Sequence, residues 1–305
     1  MSVRVYTHPA CLGHDTGAGH AERPERLAAV IDALRAAFDD LEWREAPRAS
    51  RGQLLAVHSP ALVDTVLRPV HEAILLDPDT VLSPGSAEAA LRAAGAAIAA
   101  VDAACRGEAP RAFCAVRPPG HHATADTAMG FCLFNNLAVA ATHALQAHGL
   151  ARVAIVDFDV HHGNGSQDIF AAEPRVMYAS SHQWPLYPGT GAPGERGVGN
   201  LRNAALAPGS GGEAFRAAWR DVLLPALEGF RPQLLLVSAG FDAHWRDPLA
   251  ELQLEADDFA WLTGELAGIA DRHAQGRMVA ALEGGYDLRG LAESCVGHVA
   301  ALGGS

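Results

Sequence analysis

Short apolar runs alternate with stretches of helical periodicity from one end of the chain to the other. Runs rich in valine, isoleucine, leucine and alanine, bounded by polar residues or glycine, predict strands. They occur at residues 3–8, 111–116, 152–156, 175–181, 232–240 and 277–282. The runs at 152–156 and 232–240 are apolar at almost every position, which is typical of strands buried on both faces of a parallel sheet.

Between these runs, apolar residues recur every three to four positions and predict helices. The predicted helices cover residues 20–38, 59–67, 86–106, 136–148, 165–172, 212–230, 257–273 and 288–302. The segments 71–85 and 184–200 are rich in proline together with aspartate or glycine, and we expect them to be loops. The first of these loops is the best candidate for a surface element that borders a pocket.

The order of the predicted elements indicates the fold class. Strands alternate with helices along the whole chain, which predicts an α/β fold. Its central, mainly parallel sheet would carry helices on both faces in a three-layer α/β/α arrangement. No repeat, low-complexity segment or linker divides the sequence. We therefore expect residues 1–305 to form a single domain.

Composition and charge limit the partners of the chain. Its formal net charge is −12 and no cluster of lysine or arginine stands out. This charge argues against a nucleic-acid groove or an anionic membrane surface as the main partner. No apolar run reaches 18 residues, the amino terminus lacks a signal-peptide core, and the five cysteines are scattered. These features predict a soluble, cytoplasmic protein.

Ionisable residues are concentrated just after the strand predicted at 152–156, in the sequence RVAIVDFDVHHGNG. Asp157, Asp159 and His161 alternate along an extended chain and should project to the same side. Two carboxylates and an imidazole are costly to bury without a metal or other partners. The carboxyl ends of strands are also where open α/β sheets bind their ligands. The stretch therefore predicts a site.

Other polar residues follow other predicted strands, and parallel strands would gather them at one rim of the sheet. Asp242 follows the strand at 232–240 and, with Asp159 and His161, makes a plausible three-ligand set for a divalent metal. Zinc accepts imidazole and carboxylate ligands and keeps an open position in catalytic sites. Two of these three ligands are carboxylates, so iron(II) and manganese remain alternatives to zinc.

The remaining rim residues have more than one interpretation. His121 and His122 follow a stiff Pro-Pro-Gly turn and could be metal ligands, a general base with an electrostatic partner, or two hydrogen-bonded loop histidines. Asp157 and Asn164 could orient their rings. Tyr286, after the strand at 277–282, could donate its hydroxyl to a developing oxyanion or pack as a core aromatic.

Taken together and in order, these motifs resemble those of the histone deacetylase and acetylpolyamine amidohydrolase superfamily. The matching sequences are RPPGHH at 117–122, GFCLFNN at 130–136, DFDVHHGNG at 157–165, PGTG at 188–191, SAGFDAH at 238–244 and EGGY at 283–286. No tryptophan precedes the histidine pair, and Asn164 stands where class I members carry Asp. In both features the sequence resembles the class II-like bacterial branch.

The resemblance implies two metal sites in an arginase/deacetylase-like fold. Catalytic zinc would be held by Asp159, His161 and Asp242. A structural potassium ion would be held by Asp157, Ser180 and the backbone of Asp159 and His161.

The resemblance also implies catalytic roles. His122 would be the general base and then the general acid, with Asn164 orienting its ring. His121, hydrogen-bonded to Asp157, would remain mainly electrostatic. Tyr286 would polarise the amide carbonyl. The reaction would be removal of acetyl or other short acyl groups from Nε-acyl-lysine-type amides.

Substrate-binding residues follow from the same resemblance. Phe131, next to Gly130, and Tyr187 would form the walls of an acyl-lysine tunnel. Leu249 stands where polyamine-selective enzymes carry Glu and class II lysine deacetylases carry Leu, which favours an acylated lysine peptide. Arg23 aligns with an arginine near an internal acetate-release channel.

Alternatives remain open at the level of the sequence. Asp77 or Asp79 in the 71–85 loop could hold the cationic amine of a small acetylated substrate, as in an acetylpolyamine deacetylase. A dimanganese ureohydrolase and a non-catalytic binder of acyl groups are weaker alternatives. No role is implied for His162, and a homo-oligomer is compatible with the family.

Overall fold

The computed structural model describes residues 3–304. Its ten strands are β1 (Arg4–Thr7), β2 (Glu42–Glu45), β3 (Ile74–Leu75), β4 (Val81–Leu82), β5 (Arg111–Cys114), β6 (Val153–Asp157), β7 (Val176–Gln183), β8 (Leu201–Leu206), β9 (Leu234–Ala239) and β10 (Met278–Leu282). Its helices are α1 (Pro24–Ala37), α2 (Arg51–Leu55), α3 (Pro60–Leu67), α4 (Ser86–Cys105), α5 (Asn136–Ala147), α6 (Asn164–Phe170), α7 (Gly212–Ala218), α8 (Leu224–Phe230), α9 (Ala256–His273) and α10 (Leu288–Gly303).

Eight strands form one sheet in the order β2-β1-β5-β10-β9-β6-β7-β8. Every neighbouring pair is parallel, so the predicted α/β fold with a mainly parallel sheet is confirmed. Helices α1, α10 and α9 pack side by side in one layer, and α4 and α5 pack together in the other. The central strands β6, β9 and β10 are buried at every position, because both faces are covered.

The sequence did not predict the two edge strands. β2 (EWRE) is polar and half exposed, and β8 (LRNAAL) is interrupted by Arg202 and Asn203. An edge strand has one free side and does not need the continuous apolar pattern of a central strand. The prediction that 71–85 is only loop was also wrong, since β3 and β4 pair there as a short antiparallel hairpin.

The predicted helix at 212–230 is divided by a π-helical turn at Trp219–Leu223. Pro225 follows at the start of α8 and has no backbone N–H, so the hydrogen-bond pattern changes ahead of it. Within residues 3–304, no helix is both long enough and apolar enough to cross a membrane.

Candidate active site

The predicted site residues meet at the carboxyl rim of the sheet. Nine of them line one cavity of about 270 Å³: Asp79, Gly130, Phe131, His121, His122, His161, Tyr187, Leu249 and Tyr286. Pro119, Leu186 and Gly284 complete its lining. A larger groove of about 470 Å³ lies beside Arg35 and Trp43, but none of the predicted site residues lines it.

Beneath the cavity, Asp159, His161 and Asp242 bring their ligand atoms within 4.8 Å of one another. The Nδ1 atom of His161 lies 3.1 Å from an oxygen of each carboxylate. Burial and the neighbouring Asp159 carboxylate raise the pKa of Asp242 to about 7. Burial disfavours a charged His161, but its two carboxylate partners outweigh this effect and raise its pKa to about 10. This set of buried donors needs a positive charge.

The surrounding backbone holds these donors in place. Gly284 N–H donates to Asp159 at 2.8 Å, and Val160 N–H donates to Asp242 at 2.9 Å. A Cβ atom at Gly284 would overlap the carboxylates of Asp159 and Asp242, so only glycine allows the chain to pass so close. The donors are oxygen and imidazole nitrogen at short mutual distances, and they fit a divalent metal.

His121 is fixed to a buried carboxylate. Its Nδ1–H donates to Asp157 at 3.0 Å, and the Tyr178 hydroxyl donates to the same oxygen at 3.0 Å. Burial opposes a charge on this ring, but the carboxylates of Asp157 and Asp159 outweigh it and hold the pKa of His121 well above its ordinary value. His121 is therefore favoured as an imidazolium in this environment.

His122 has the opposite electrostatic environment. Its Nδ1–H donates to the Asn164 side-chain oxygen at 2.8 Å, and its ring centroid lies 4.0 Å from that of His121. Burial, together with the positive charges of His121 and His161, lowers the pKa of His122 well below its ordinary value. With its proton held at Nδ1, the neutral ring keeps Nε2 free to accept another.

Tyr286 occupies another wall of the same cavity. Its backbone N–H donates to Asp247 at 2.7 Å, and the guanidinium of Arg26 lies 4.7 Å from its ring centroid. Burial raises the pKa of Tyr286 well above its ordinary value, so the hydroxyl keeps its proton and can act as a donor.

The arginine behind the site is Arg26, whereas Arg23, which the resemblance placed near an internal channel, lies largely at the surface. Arg26 is fully buried, forms an ion pair with Glu22 at 2.9 Å and donates to the backbone carbonyls of Glu283 and Gly285. The Arg23 side chain is 43% exposed and lies 4.0 Å from Glu25.

Two aromatic side chains form the upper part of the cavity. The Tyr187 ring stands edge-on to His122 at 5.2 Å, and the Phe131 ring lies 5.8 Å from Tyr286. Phe131 has a φ of 66°, which is rare for an aromatic residue and marks a constrained position. Leu249 is partly exposed at the mouth.

For the predicted potassium site, the structure places Asp157 and Ser180 opposite each other in the register of β6 and β7. Both side chains are fully buried. Asp159 and His161 follow Asp157 directly along the chain, so all the predicted contributors lie in one region beneath the cavity.

The matched family model is described as a histone deacetylase domain, and it covers residues 20–302. The chain belongs to the histone deacetylase family. It is therefore an enzyme of the amide-hydrolase class, as the resemblance implied.

Relatives of this histone deacetylase family member occur in several kingdoms. It is 46% identical to a histone deacetylase-like amidohydrolase of Pseudomonas aeruginosa, over 88% of this chain and 73% of that protein. It is 38% identical to a probable deacetylase of Archaeoglobus fulgidus, over 100% of this chain and 87% of that protein. The solved HDA15 HD domain superimposes with a TM-score of 0.94 at 36% identity, covering 99% of this chain and 89% of that one.

Several residues that shape the site of this family member were not singled out from the sequence. Glu283 accepts hydrogen bonds from the backbone of Gly120 at 2.6 Å and His121 at 3.2 Å, and so positions the histidine pair. Burial is the main reason that the pKa of Glu283 rises to about 7. Its position directly after β10, like those of the predicted residues, was the available signal. Tyr178 lies inside a strand and gave no such signal.

The structure also assigns contacts to His162, for which the sequence implied no role. Its Nε2–H donates to Gln167 at 3.1 Å, and its Nδ1 accepts from the Thr190 hydroxyl at 2.8 Å. Thr190 lies three residues after Tyr187. His162 therefore fastens the loop that carries an aromatic wall of the cavity.

We expect His162→Leu to raise KM by about fivefold, because one net hydrogen bond contributes about 1 kcal/mol. The change in kcat should be smaller, because the loop affected carries Tyr187, which forms a wall of the cavity. Thr190→Val should have a similar effect. Steady-state kinetics on both single variants and the double variant form a thermodynamic cycle. If the fold-changes in KM simply multiply in the double variant, the hydrogen bond does not couple the two residues.

Proposed function

We propose that this protein is a zinc-dependent amidohydrolase that removes acetyl or other short acyl groups from Nε-acyl-lysine-type amides. The proposal rests on one observation, the meeting of three kinds of groups at one cavity. These are a buried oxygen and nitrogen donor set, a pair of histidines with opposite pKa shifts, and a protonated tyrosine hydroxyl. Residues 1–305 would act as a single catalytic domain.

Zinc would be held by Asp159, His161 and Asp242, and iron(II) or manganese would suit the same donors. When bound, such an ion acts as a Lewis acid and lowers the pKa of water from about 15.7 to roughly 7 in favourable sites. A potassium ion near Asp157 and Ser180 would have a structural role only.

The chain's own residues would move the protons. His122 would accept a proton at Nε2 as water attacks the amide carbon, and would then deliver it to the leaving nitrogen as the C–N bond breaks. Asn164 keeps the His122 ring oriented throughout. His121 would supply a fixed positive charge beside the reacting groups, stabilised by Asp157. The products are a carboxylic acid and a free amine.

Tyr286 would complete the reaction centre. Its hydroxyl would donate to the carbonyl oxygen as negative charge develops there, when such a bond is strongest. Asp247 and Arg26 hold the backbone and ring of this tyrosine, so the donor is positioned before substrate arrives.

The cavity walls support an acyl-lysine substrate. Phe131 and Tyr187 offer apolar faces to a methylene chain, and Leu249 adds no charge at the mouth. The main alternative is a small acetylated polyamine, because the Asp79 carboxylate also lines the cavity and could attract a cation. A relative supports this alternative: the human polyamine deacetylase HDAC10 is 40% identical over 90% of this chain and 43% of that protein.

A dimanganese ureohydrolase has less support. A second ion would need further carboxylates beside the first, and the carboxylate of Asp157, which lies in the same stretch as Asp159, already accepts from His121 and Tyr178.

A substrate panel with metal-defined enzyme tests the proposal. The protein would be stripped with a chelator, reloaded with zinc, iron(II) or manganese, and assayed with acetyl-lysine peptides and N-acetylputrescine. We expect no turnover without metal and at least about tenfold higher kcat/KM for the peptides, which corresponds to about 1.4 kcal/mol. Higher kcat/KM for N-acetylputrescine would favour the polyamine alternative.

Leu249→Glu provides the matched control. A carboxylate at the mouth should improve the cationic polyamine relative to a neutral peptide, with little change in kcat. A variant that leaves the ranking of substrates unchanged would show that residue 249 does not contribute to selectivity.

A further inference from the structure

Outside the active site, Asp102, His143 and His148 form a second group whose possible ligand atoms all lie within 4.8 Å of one another. The Nε2 atoms of His143 and His148 lie 2.8 Å and 2.7 Å from the same oxygen of Asp102. The two imidazole rings meet edge to face with centroids 5.5 Å apart. We propose that these three side chains form a second transition-metal site, which we call the α4–α5 site.

The geometry is close to that of a bound ion. In a tetrahedral zinc site with bonds of about 2.0–2.2 Å, ligand atoms lie roughly 3.3 Å apart. The distances from the two imidazole nitrogens to the Asp102 oxygen are about half an ångström shorter than this, because each nitrogen is hydrogen-bonded to that oxygen. Small movements of the two rings would admit the ion, with each imidazole then carrying its proton at Nδ1 and coordinating through Nε2.

The local electrostatics favour a cation. Asp102 lies in the last turn of α4, His143 lies near the carboxyl end of α5, and His148 directly follows α5. The carboxyl ends of two helices carry partial negative charge and stabilise positive charge there.

The site is held in place and can still be reached from solvent. The side chains of His143 and His148 are 16% and 18% exposed, and that of Asp102 is 25% exposed. Arg106 contacts the other oxygen of Asp102 at 3.3 Å, so the oxygen shared by the histidines stays available. The Arg106 side chain is 60% exposed and can withdraw into solvent as an ion enters.

The α4–α5 site lies away from the catalytic rim. Helices α4 and α5 end at Cys105 and Ala147, shortly before β5 and β6 begin. These helix ends therefore lie at the amino edge of the sheet, whereas the cavity lies at the carboxyl edge. An ion there would not touch substrate. It would join the ends of two packed helices and stabilise the folded state by mass action. Imidazole ligands suit Zn²⁺, Co²⁺, Ni²⁺ and Cu²⁺.

A metal titration of the loaded enzyme tests this proposal. Protein carrying one catalytic zinc equivalent would be dialysed against rising ZnCl₂, with bound metal measured by mass spectrometry and Tm by thermal unfolding. We expect a second equivalent to bind and to raise Tm. His148→Gln and Asp102→Asn should each weaken that binding by about tenfold or more, since even changes to residues around metal ligands cost 10–100-fold in affinity.

His71→Gln is the matched control, because His71 is an exposed histidine far along the chain from this group. It should keep the second equivalent, and all three variants should keep the kcat/KM of the wild type. CoCl₂ titration of the wild type gives a second readout that needs no variant, through the visible absorption of protein-bound Co²⁺. A single equivalent in the wild type, or a second one that persists unchanged in His148→Gln, would overturn the proposal.

Discussion

His122→Ala should lower kcat for an acetyl-lysine peptide by roughly 10²–10⁴-fold, the usual contribution of general acid–base catalysis. The structure explains why this histidine and not its neighbour is suited to the task. Burial and the nearby cationic imidazole of His121 keep His122 neutral, and Asn164 holds its proton at Nδ1. Removing the ring takes away both the acceptor for the attacking water and the donor for the leaving amine. Single-turnover kinetics would measure the loss, and activity within threefold of the wild type would contradict the assignment.

Asn164→Asp is the matched variant for this prediction. It keeps an oxygen acceptor beside His122 and adds a negative charge, which favours the imidazolium and raises the pKa of the base. A base works only when deprotonated, so the acid limb of the pH dependence of kcat/KM should move to higher pH. An unchanged acid limb would indicate that another group controls the profile.

Tyr286→Phe should lower kcat by about 10²–10³-fold, the loss typical of removing one oxyanion donor. The substitution keeps the ring against Arg26 and removes only the hydroxyl. Metal content, measured on the purified variant, should equal that of the wild type, because Tyr286 is not among the donor atoms of the triad.

Tyr6→Phe is the control for a lost tyrosine hydroxyl. The Tyr6 hydroxyl donates to the Ala99 carbonyl at 3.3 Å and has no part in the cavity. The kcat of Tyr6→Phe should stay near that of the wild type. If Tyr286→Phe were equally active, the oxyanion would have to be stabilised without this residue.

Much of the fold could be predicted because the central strands are buried on both faces. Continuous apolar runs identified β6 and β9, and the polar residues just after them predicted a site at the rim of the sheet. Strands β2 and β8 could not be predicted in this way, because an edge strand does not need a continuous apolar run.

Residues within the site were predictable when they are ionisable and follow a strand directly. Supporting residues such as Tyr178 and Arg26 were not, because their partners come from distant parts of the chain. Arg26 contacts the backbone of Gly285, 259 positions away, and no local pattern encodes that pairing. The contacts of His162 likewise depend on where the loop around Thr190 folds back.

The position of β10 has a consequence for how the enzyme forms in the cell. This strand lies between β5 and β9, in the middle of the sheet, although it follows every other strand of the sheet in sequence. A ribosome that has released everything before Met278 would leave β5 and β9 with unpaired edges, the kind of surface on which nascent chains aggregate. Gly284, which packs against the carboxylates of Asp159 and Asp242, also arrives only then. The donor triad and the proposed catalytic site should therefore be completed together, in a single step, as the residues from Met278 onward leave the exit tunnel.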